Sequence, residues 1–244
     1  MNPLDEELRA ILLDIEGTTT PIAFVHEVLF SYAREHAREF LTSNIDSEEV
    51  RADIALLREE HALDISNDLH PPLLADEIES LAGYIDWLIA RDRKSTGLKA
   101  LQGKIWRQGY LEGSLKAQVF ADVAPAFERW HSAGLSINIF SSGSVLAQQL
   151  LFAHTDVGDL TSFIDNYFDT NVGKKGEADS YGRIAAALDL ASNQIVFISD
   201  VVAELDAAKE AEMKTLLSLR PGNQPQPRTN HQVIHSFDQI HKNP

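Results

Sequence analysis

The chain has 244 residues, 44% of them hydrophobic and 24% charged, the balance of a globular chain and not of a disordered one. Its 21 Lys and Arg against 37 Asp and Glu leave a net charge of −16, which argues against a nucleic-acid partner, because phosphate backbones demand clustered cations. With no cysteine, disulfides, thiolate metal sites and thiol nucleophiles are excluded together, and a reducing compartment is the natural fit.

The segment Met1 to Glu7 is polar and acidic, without the basic-then-apolar pattern of a secretory signal. No apolar run approaches the roughly 20 residues that span a bilayer, so a cytoplasmic protein without membrane contact is expected. Ile11-Leu12-Leu13 is a short buried-strand candidate followed by two acids, Asp14 and Glu16. If the chain stays extended, both acids project to the same side. Gly17 and Thr18 to Thr20 then break the strand and offer N–H and hydroxyl groups that suit an anion such as phosphate. An acidic pair beside an anion site is self-contradictory unless a metal bridges them.

From Pro21 to about Lys116 the apolar residues keep a helical period. Val25 to Phe40 is one helix, Ser47 to Glu60 a second, Ile78 to Ile89 a third after His70-Pro71-Pro72, and Lys94 to Trp106 a fourth, weakened by Gly97 and Gly103. The expected organisation is an α/β core made of residues 1–20 and 117–244, with a helical domain, 21–116, inserted after the first strand.

Beyond Phe120, strands and helices alternate. Val123 to Trp130 is a helix closed by Gly134, Leu135 to Phe140 a strand, and a helix carrying Val145 to Leu151 follows. Tyr167-Phe168 is a short strand, Ser180 to Leu188 a helix, Gln194 to Ile198 a strand, Glu204 to Glu212 a helix and Thr215 to Leu219 a strand. Asn223 to Asn230 is a polar, Pro-rich loop, and Val233 to Ile240 docks the tail. This alternation predicts a Rossmann-like parallel sheet with its ligand site at the carboxyl ends of the strands.

Three polar clusters, Asp14 with Glu16, Ser141 with Ser142, and Asp200, fall at such ends. Asp14 is a candidate nucleophile toward phosphorus, or else a metal ligand beside an attacking water. Ser141 and Ser142 follow a strand and precede a helix, suited to anion binding or simply to capping. Lys174 and Lys175, within Gly173-Lys174-Lys175-Gly176, supply positive charge where an acidic chain has little. Asp200 ends a strand, with Glu204 one helical turn on; such carboxylates hold Mg²⁺, and Asp200 is equally placed to cap the helix. His131, His154, His231 and His235 read as surface or packing residues, and no Gly-rich nucleotide motif is present, so neither zinc nor a nucleotide is expected.

Together the four clusters resemble the haloacid dehalogenase superfamily of aspartate-nucleophile phosphatases. The segments Leu12–Val25, Phe140–Phe152, Phe168–Tyr181, Ser199–Ala208 and Arg220–Asn223 are similar to the enolase-phosphatases, or acireductone synthases, of methionine salvage. Glu16, where most superfamily phosphatases carry Asp, is the residue expected in that group. The resemblance implies that 2,3-diketo-5-methylthiopentyl-1-phosphate is enolised and then dephosphorylated at one site, with one Mg²⁺ per subunit, by a monomer. It implies Asp14 as nucleophile and metal ligand, and Glu16 as a metal ligand through its carbonyl with its side chain left for proton transfer. Ser141 and Ser142 would hold substrate, Lys175 rather than Lys174 would stabilise charge, and Asp200 would complete the metal site. The helical insert would act as a lid over the methylthio tail. The alternative is a phosphatase of the same superfamily acting on another small phosphomonoester.

Overall fold

In the computed structural model, which describes residues 7–93 and 95–240, the chain divides into two compact units, Met1–Val25 with Lys116–Pro244, and His26–Leu115. Lys94, expected to open the fourth helix, and most of the Met1 to Glu7 segment lie outside the described residues. The helical unit holds α1 (Phe30–Asn44), α2 (Glu48–Ser66), α3 (Ile78–Ala90) and α4 (Thr96–Glu112), and a π-helical turn over Phe24–Leu29 leads into α1. Both α2 and α4 run a turn or more past their predicted ends, and Gly113, at φ 74°, closes α4 in the left-handed conformation.

Two of the glycines that weaken α4 as an isolated helix, Gly97 and Gly109, are explained by what packs on them. α4 packs against both α1 and α2. A Cβ at Gly97 would lie 2.9 Å from Asp53 O and the Leu57 side chain of α2, and one at Gly109 would lie 2.5 Å from the Tyr32 hydroxyl of α1. The propensity cost of about 1 kcal/mol per glycine is outweighed by close helix approach. Several buried polar groups of this unit are paired: Lys104 with Asp53 at 2.5 Å, Tyr84 with Asp64 at 2.9 Å, and Asp64 also with Arg93. Among the described residues no helix is long and apolar enough to cross a membrane.

The other unit is built on six parallel strands: β1 (Ala10–Leu13), β2 (Ser136–Phe140), β3 (Asn166–Phe168), β4 (Ile195–Ser199), β5 (Lys214–Ser218) and β6 (Gln232–Ile234), in the order β3-β2-β1-β4-β5-β6. The connecting helices are α5 (Val123–Ser132), α6 (Val145–Ala153), α7 (Ala178–Ala187) and α8 (Val202–Glu210). β1 and β4 are buried throughout, as strands covered on both faces must be. β6, expected only as a docked tail, is a strand that lengthens the sheet beside β5; three residues are too few to display a period.

Chain order leaves β1 central, with β2 on one side and β4 on the other, so the connections diverge at β1 and open a crevice at its carboxyl end. Leu13 is registered with both Ile139 and Ile198, so Ser141 and Asp200 each stand two residues beyond a partner of Leu13. Under that rim Tyr181 packs on Phe140 and Phe197, with ring centroids at 5.6 and 5.1 Å, in a cluster that includes Leu12, Ile184 and Leu205. Such ring pairs add about 0.5–1.5 kcal/mol each beyond their buried area.

The segment after β5 is anchored by a buried ion pair. Arg220 Nη1 lies 2.7 Å from Asp122 Oδ2, and the guanidinium stacks between Phe120 and Phe237 at 4.7 and 4.5 Å. Burial pushes the Asp122 carboxyl up, but the Phe237 N–H and Arg220 outweigh it and hold its pKa below the usual range. Stability from this group is therefore present above the ordinary carboxylate pKa and lost as pH falls through the depressed value. Asp122→Ala, which strands Arg220, is expected to cost roughly 3–5 kcal/mol at neutral pH. Urea unfolding checks this, with the gap to wild type narrowing below about pH 4.

Candidate active site

Lys175 organises the tip of β1. Its Nζ lies 2.6 Å from Asp14 Oδ1 and 2.7 Å from Glu204 Oε2, and the three side chains are 11%, 8% and 17% exposed. The amine also stands 5.9 Å from the ring centroids of both Phe140 and Phe197, so it approaches the acids over an apolar floor. Its backbone is set by the turn before α7. Gly173 has φ 138°, and a Cβ there would collide with Ser180, whose hydroxyl donates to Lys174 O at 2.7 Å. Tyr181 donates its hydroxyl to Lys175 O at 2.7 Å. Lys174 points away: its side chain is 83% exposed and pairs with Glu177 at 3.4 Å.

Asp14 follows β1 directly, and its N–H donates to Ile198 O at 3.0 Å. The regular strand stops at Leu13, so alternation does not set the directions of the two acids; Asp14 is buried and Glu16 half-buried. Gly17 turns the chain at φ 68°, where a Cβ would lie 2.7 Å from Asp200 Cγ and 2.9 Å from Asn223 Oδ1. The backbone must pass that close for motif and carboxylate to share the rim.

The threonines do not serve as the sequence suggests. The N–H groups of Thr18, Thr19 and Thr20 all donate to Ile15 O, at 3.2, 3.0 and 2.9 Å, and the three residues are fully buried. They close the turn and are not presented to an anion. Ser218 Oγ and Asn223 Nδ2 donate to Gly17 O at 3.3 and 3.0 Å. These two supports carry no local sequence signal as parts of the site.

Ser141 is buried at the end of β2; its N–H donates to Phe168 O at 3.1 Å and its Oγ accepts from Gly143 N at 3.2 Å. Ser142 is exposed. The cap of α6 is Ser144, whose hydroxyl accepts from Ala147 N, so neither Ser141 nor Ser142 is spent on capping. Asp200 is likewise not a cap: α8 starts after Val201 with no side-chain cap from that residue. Gln226 Oε1 accepts from Val202 N at 3.0 Å in its place. Glu204 is turned toward Lys175 and accepts from Ser199 Oγ at 2.9 Å.

The electrostatics show what the rim lacks. Burial opposes the charge on Lys175, yet Asp14 and Glu204 together overcome it and raise its pKa above the lysine range. Burial and the charge of Asp14 raise Glu204 against the pull of Lys175. Burial, then repulsion from Asp14 and Glu204, pushes Asp200 up to about 7. Three acids crowd a lysine that contacts only two of them, and a further cation would relieve them. Among the described residues no group of three His, Asp or Glu side chains is gathered as a metal cage. Two carboxylates, Asp14 and Asp200, suit a hard ion that keeps most of its water, which is the behaviour of Mg²⁺. A carboxylate nucleophile, a lysine, a hydroxyl and a place for a divalent cation form a set suited to phosphoryl transfer.

Comparison with known proteins bears on the same residues. The family model of haloacid dehalogenase-like hydrolases matches residues 8–212. Enolase-phosphatase E1 of Synechococcus elongatus is 53% identical over 238 residues, covering 98% of this chain and 100% of that one. Enolase-phosphatase E1 of Citrobacter koseri is 44% identical over 233 residues, with 96% of each chain covered. Among solved structures, the UTR4 protein of Saccharomyces cerevisiae superposes with a TM-score of 0.78 at 36% identity, covering 96% of this chain and 100% of that one.

The raised Asp200 pKa has a consequence for stability. Between the ordinary value of 3.8 and about 7, the folded protein holds a proton at Asp200 that the unfolded chain releases. Stability therefore falls as pH rises through that window. In protein free of divalent cations, Asp200→Asn is expected to stabilise the fold at about pH 8 by on the order of 1–3 kcal/mol, with the gain vanishing near pH 4. Urea unfolding across that range is the measurement.

Proposed function

Because the chain belongs to the enolase-phosphatase E1 family of haloacid dehalogenase-like hydrolases, we propose that it acts in methionine salvage. It converts 2,3-diketo-5-methylthiopentyl-1-phosphate into the acireductone 1,2-dihydroxy-3-keto-5-methylthiopentene and inorganic phosphate. The observation that carries the reading is the buried contact of Lys175 with Asp14 at the tip of β1, beside Asp200.

In the first step a proton leaves the carbon next to the diketone and an enolate forms. Glu16, half-buried and next to the nucleophile turn, is the residue we assign to that proton. In the second step an Asp14 oxygen forms a bond to phosphorus as the bond from phosphorus to the enol oxygen breaks, and Glu16 returns a proton to the departing oxygen. Lys175 holds Oδ1 of Asp14, which orients the carboxylate and places positive charge where the phosphoryl oxygens arrive. Ser141 and Ser142 donate to the phosphoryl group. Water then attacks the acyl phosphate, Glu16 takes its proton and passes it to the enolate oxygen of the product, and phosphate leaves Asp14 free and Glu16 again a carboxylate. Glu204 and Ser199 keep Lys175 aimed at Asp14.

The carboxylates of Asp14 and Asp200, with the carbonyl of Glu16, would hold Mg²⁺. When bound, that ion supplies Lewis-acid charge to the phosphoryl oxygens and neutralises part of the acidic rim. The helical unit is assigned the role of a cap that excludes water during turnover. The working form is taken to be a cytoplasmic monomer.

The test is Mg²⁺-dependent turnover of the diketo phosphate, followed at the enol absorbance and by phosphate release. Asp14→Asn is expected to lower phosphate release by on the order of 10⁴-fold. Retained turnover would exclude the aspartyl-phosphate route. Glu16→Gln is expected to slow enol formation by roughly 10²–10⁴-fold; enolisation at the normal rate would remove Glu16 from that step.

A further inference from the structure

Gln148 is 1% exposed, yet it is a polar residue in the first turn of α6. Helical side chains lean toward the N-terminus of their helix, so one at this position is aimed back at the preceding loop. Its Nε2 donates to Gly143 O at 2.8 Å and to Phe168 O at 2.9 Å. Phe168 O also accepts the N–H of Ser141 at 3.1 Å, and Gly143 N–H donates to Ser141 Oγ at 3.2 Å. The hydrogen bonds make a circuit around Ser141. One amide nitrogen fixes the carbonyl that anchors the Ser141 backbone and the carbonyl of Gly143, the residue whose N–H fills an acceptor position on the Ser141 hydroxyl. The Ser141 hydrogen is left to donate outward.

Stability does not explain this choice. Gln148 Oε1 is buried without a hydrogen-bond partner among the described residues, and a half-satisfied amide in a core is worse than an apolar side chain of similar volume. What glutamine provides is two donors on one atom, shared between the β2–α6 loop and the end of β3.

We propose that Gln148 is a positioning residue for phosphoryl recognition, holding the Ser141–Gly143 turn so that the Ser141 hydroxyl donates to the phosphoryl oxygens. This rests on the assignment of Ser141 as a phosphoryl ligand, and the test separates the two. Inorganic phosphate is titrated calorimetrically into the Mg²⁺-loaded enzyme for wild type, Ser141→Ala, Gln148→Leu and the double variant, with urea unfolding of each. Ser141→Ala is expected to weaken phosphate binding about tenfold, the worth of one hydrogen bond to a charged acceptor. Gln148→Leu is expected to weaken it by a similar factor without loss of stability, and the double variant to bind no worse than either single one. Unchanged affinity in Ser141→Ala overturns the assignment of Ser141 and this inference with it. Weakened Ser141→Ala beside wild-type affinity in Gln148→Leu overturns the positioning role alone, as do effects that multiply in the double variant. If Gln148→Leu does not fold, Gln148→Met is read in the same way; failure of both to fold makes the glutamine a folding residue and overturns the proposal.

Discussion

The site depends on one cation shared by two carboxylates. Lys175, almost sealed from water, touches Asp14 on one side and Glu204 on the other. A buried ammonium with a single partner would be a poor arrangement, because desolvation rivals the Coulomb gain. Two partners, two phenyl rings at 5.9 Å and a hydrogen-bonded backbone carbonyl make it tenable. The sheet supplies Asp14, the turn before α7 supplies the lysine and the first turn of α8 supplies Glu204. The contact therefore ties three segments at the same rim.

That arrangement also accounts for the remaining charge. With Lys175 committed to Asp14 and Glu204, Asp200 is left among acids, and its affinity for a proton rises accordingly. A group that competes so strongly for a proton competes for a divalent cation by the same argument. The fold carries the repulsion because the strands that hold the acids are apolar and buried on both sides, and their burial does not depend on the tips.

Much of this was legible in the sequence, for identifiable reasons. Apolar runs that stop at a polar cluster mark strand ends, and a parallel sheet brings such ends together whatever their distance along the chain. Asp14, Ser141 and Asp200 were found that way. Choosing Lys175 over Lys174 needed the family resemblance, since spacing alone gives both the same standing; the structure separates them through the Gly173 turn. The threonines after Gly17 misled because hydroxyl residues look identical whether they face a ligand or close a turn. Glu204 was visible as an acid, but its direction is decided by Ser199 and Lys175. Ser218 left no trace, and Asn223 and Gln148 stood only inside family-like segments with no role of their own, because each acts on a backbone carbonyl and such contacts have no residue pattern. β6 was too short to show any period.

Gly17 has a bearing on how this chain can vary. The place of its absent Cβ is taken by the carboxylate of Asp200 and the amide of Asn223, and its carbonyl is gripped by Ser218 and Asn223. A single methyl group there would have to displace an acid from the rim and loosen the segment after β5 in the same movement. A position that contributes no chemistry is thus among the most restricted in the neighbourhood, and drift or redesign of the surrounding loops is confined to routes that leave that small gap untouched.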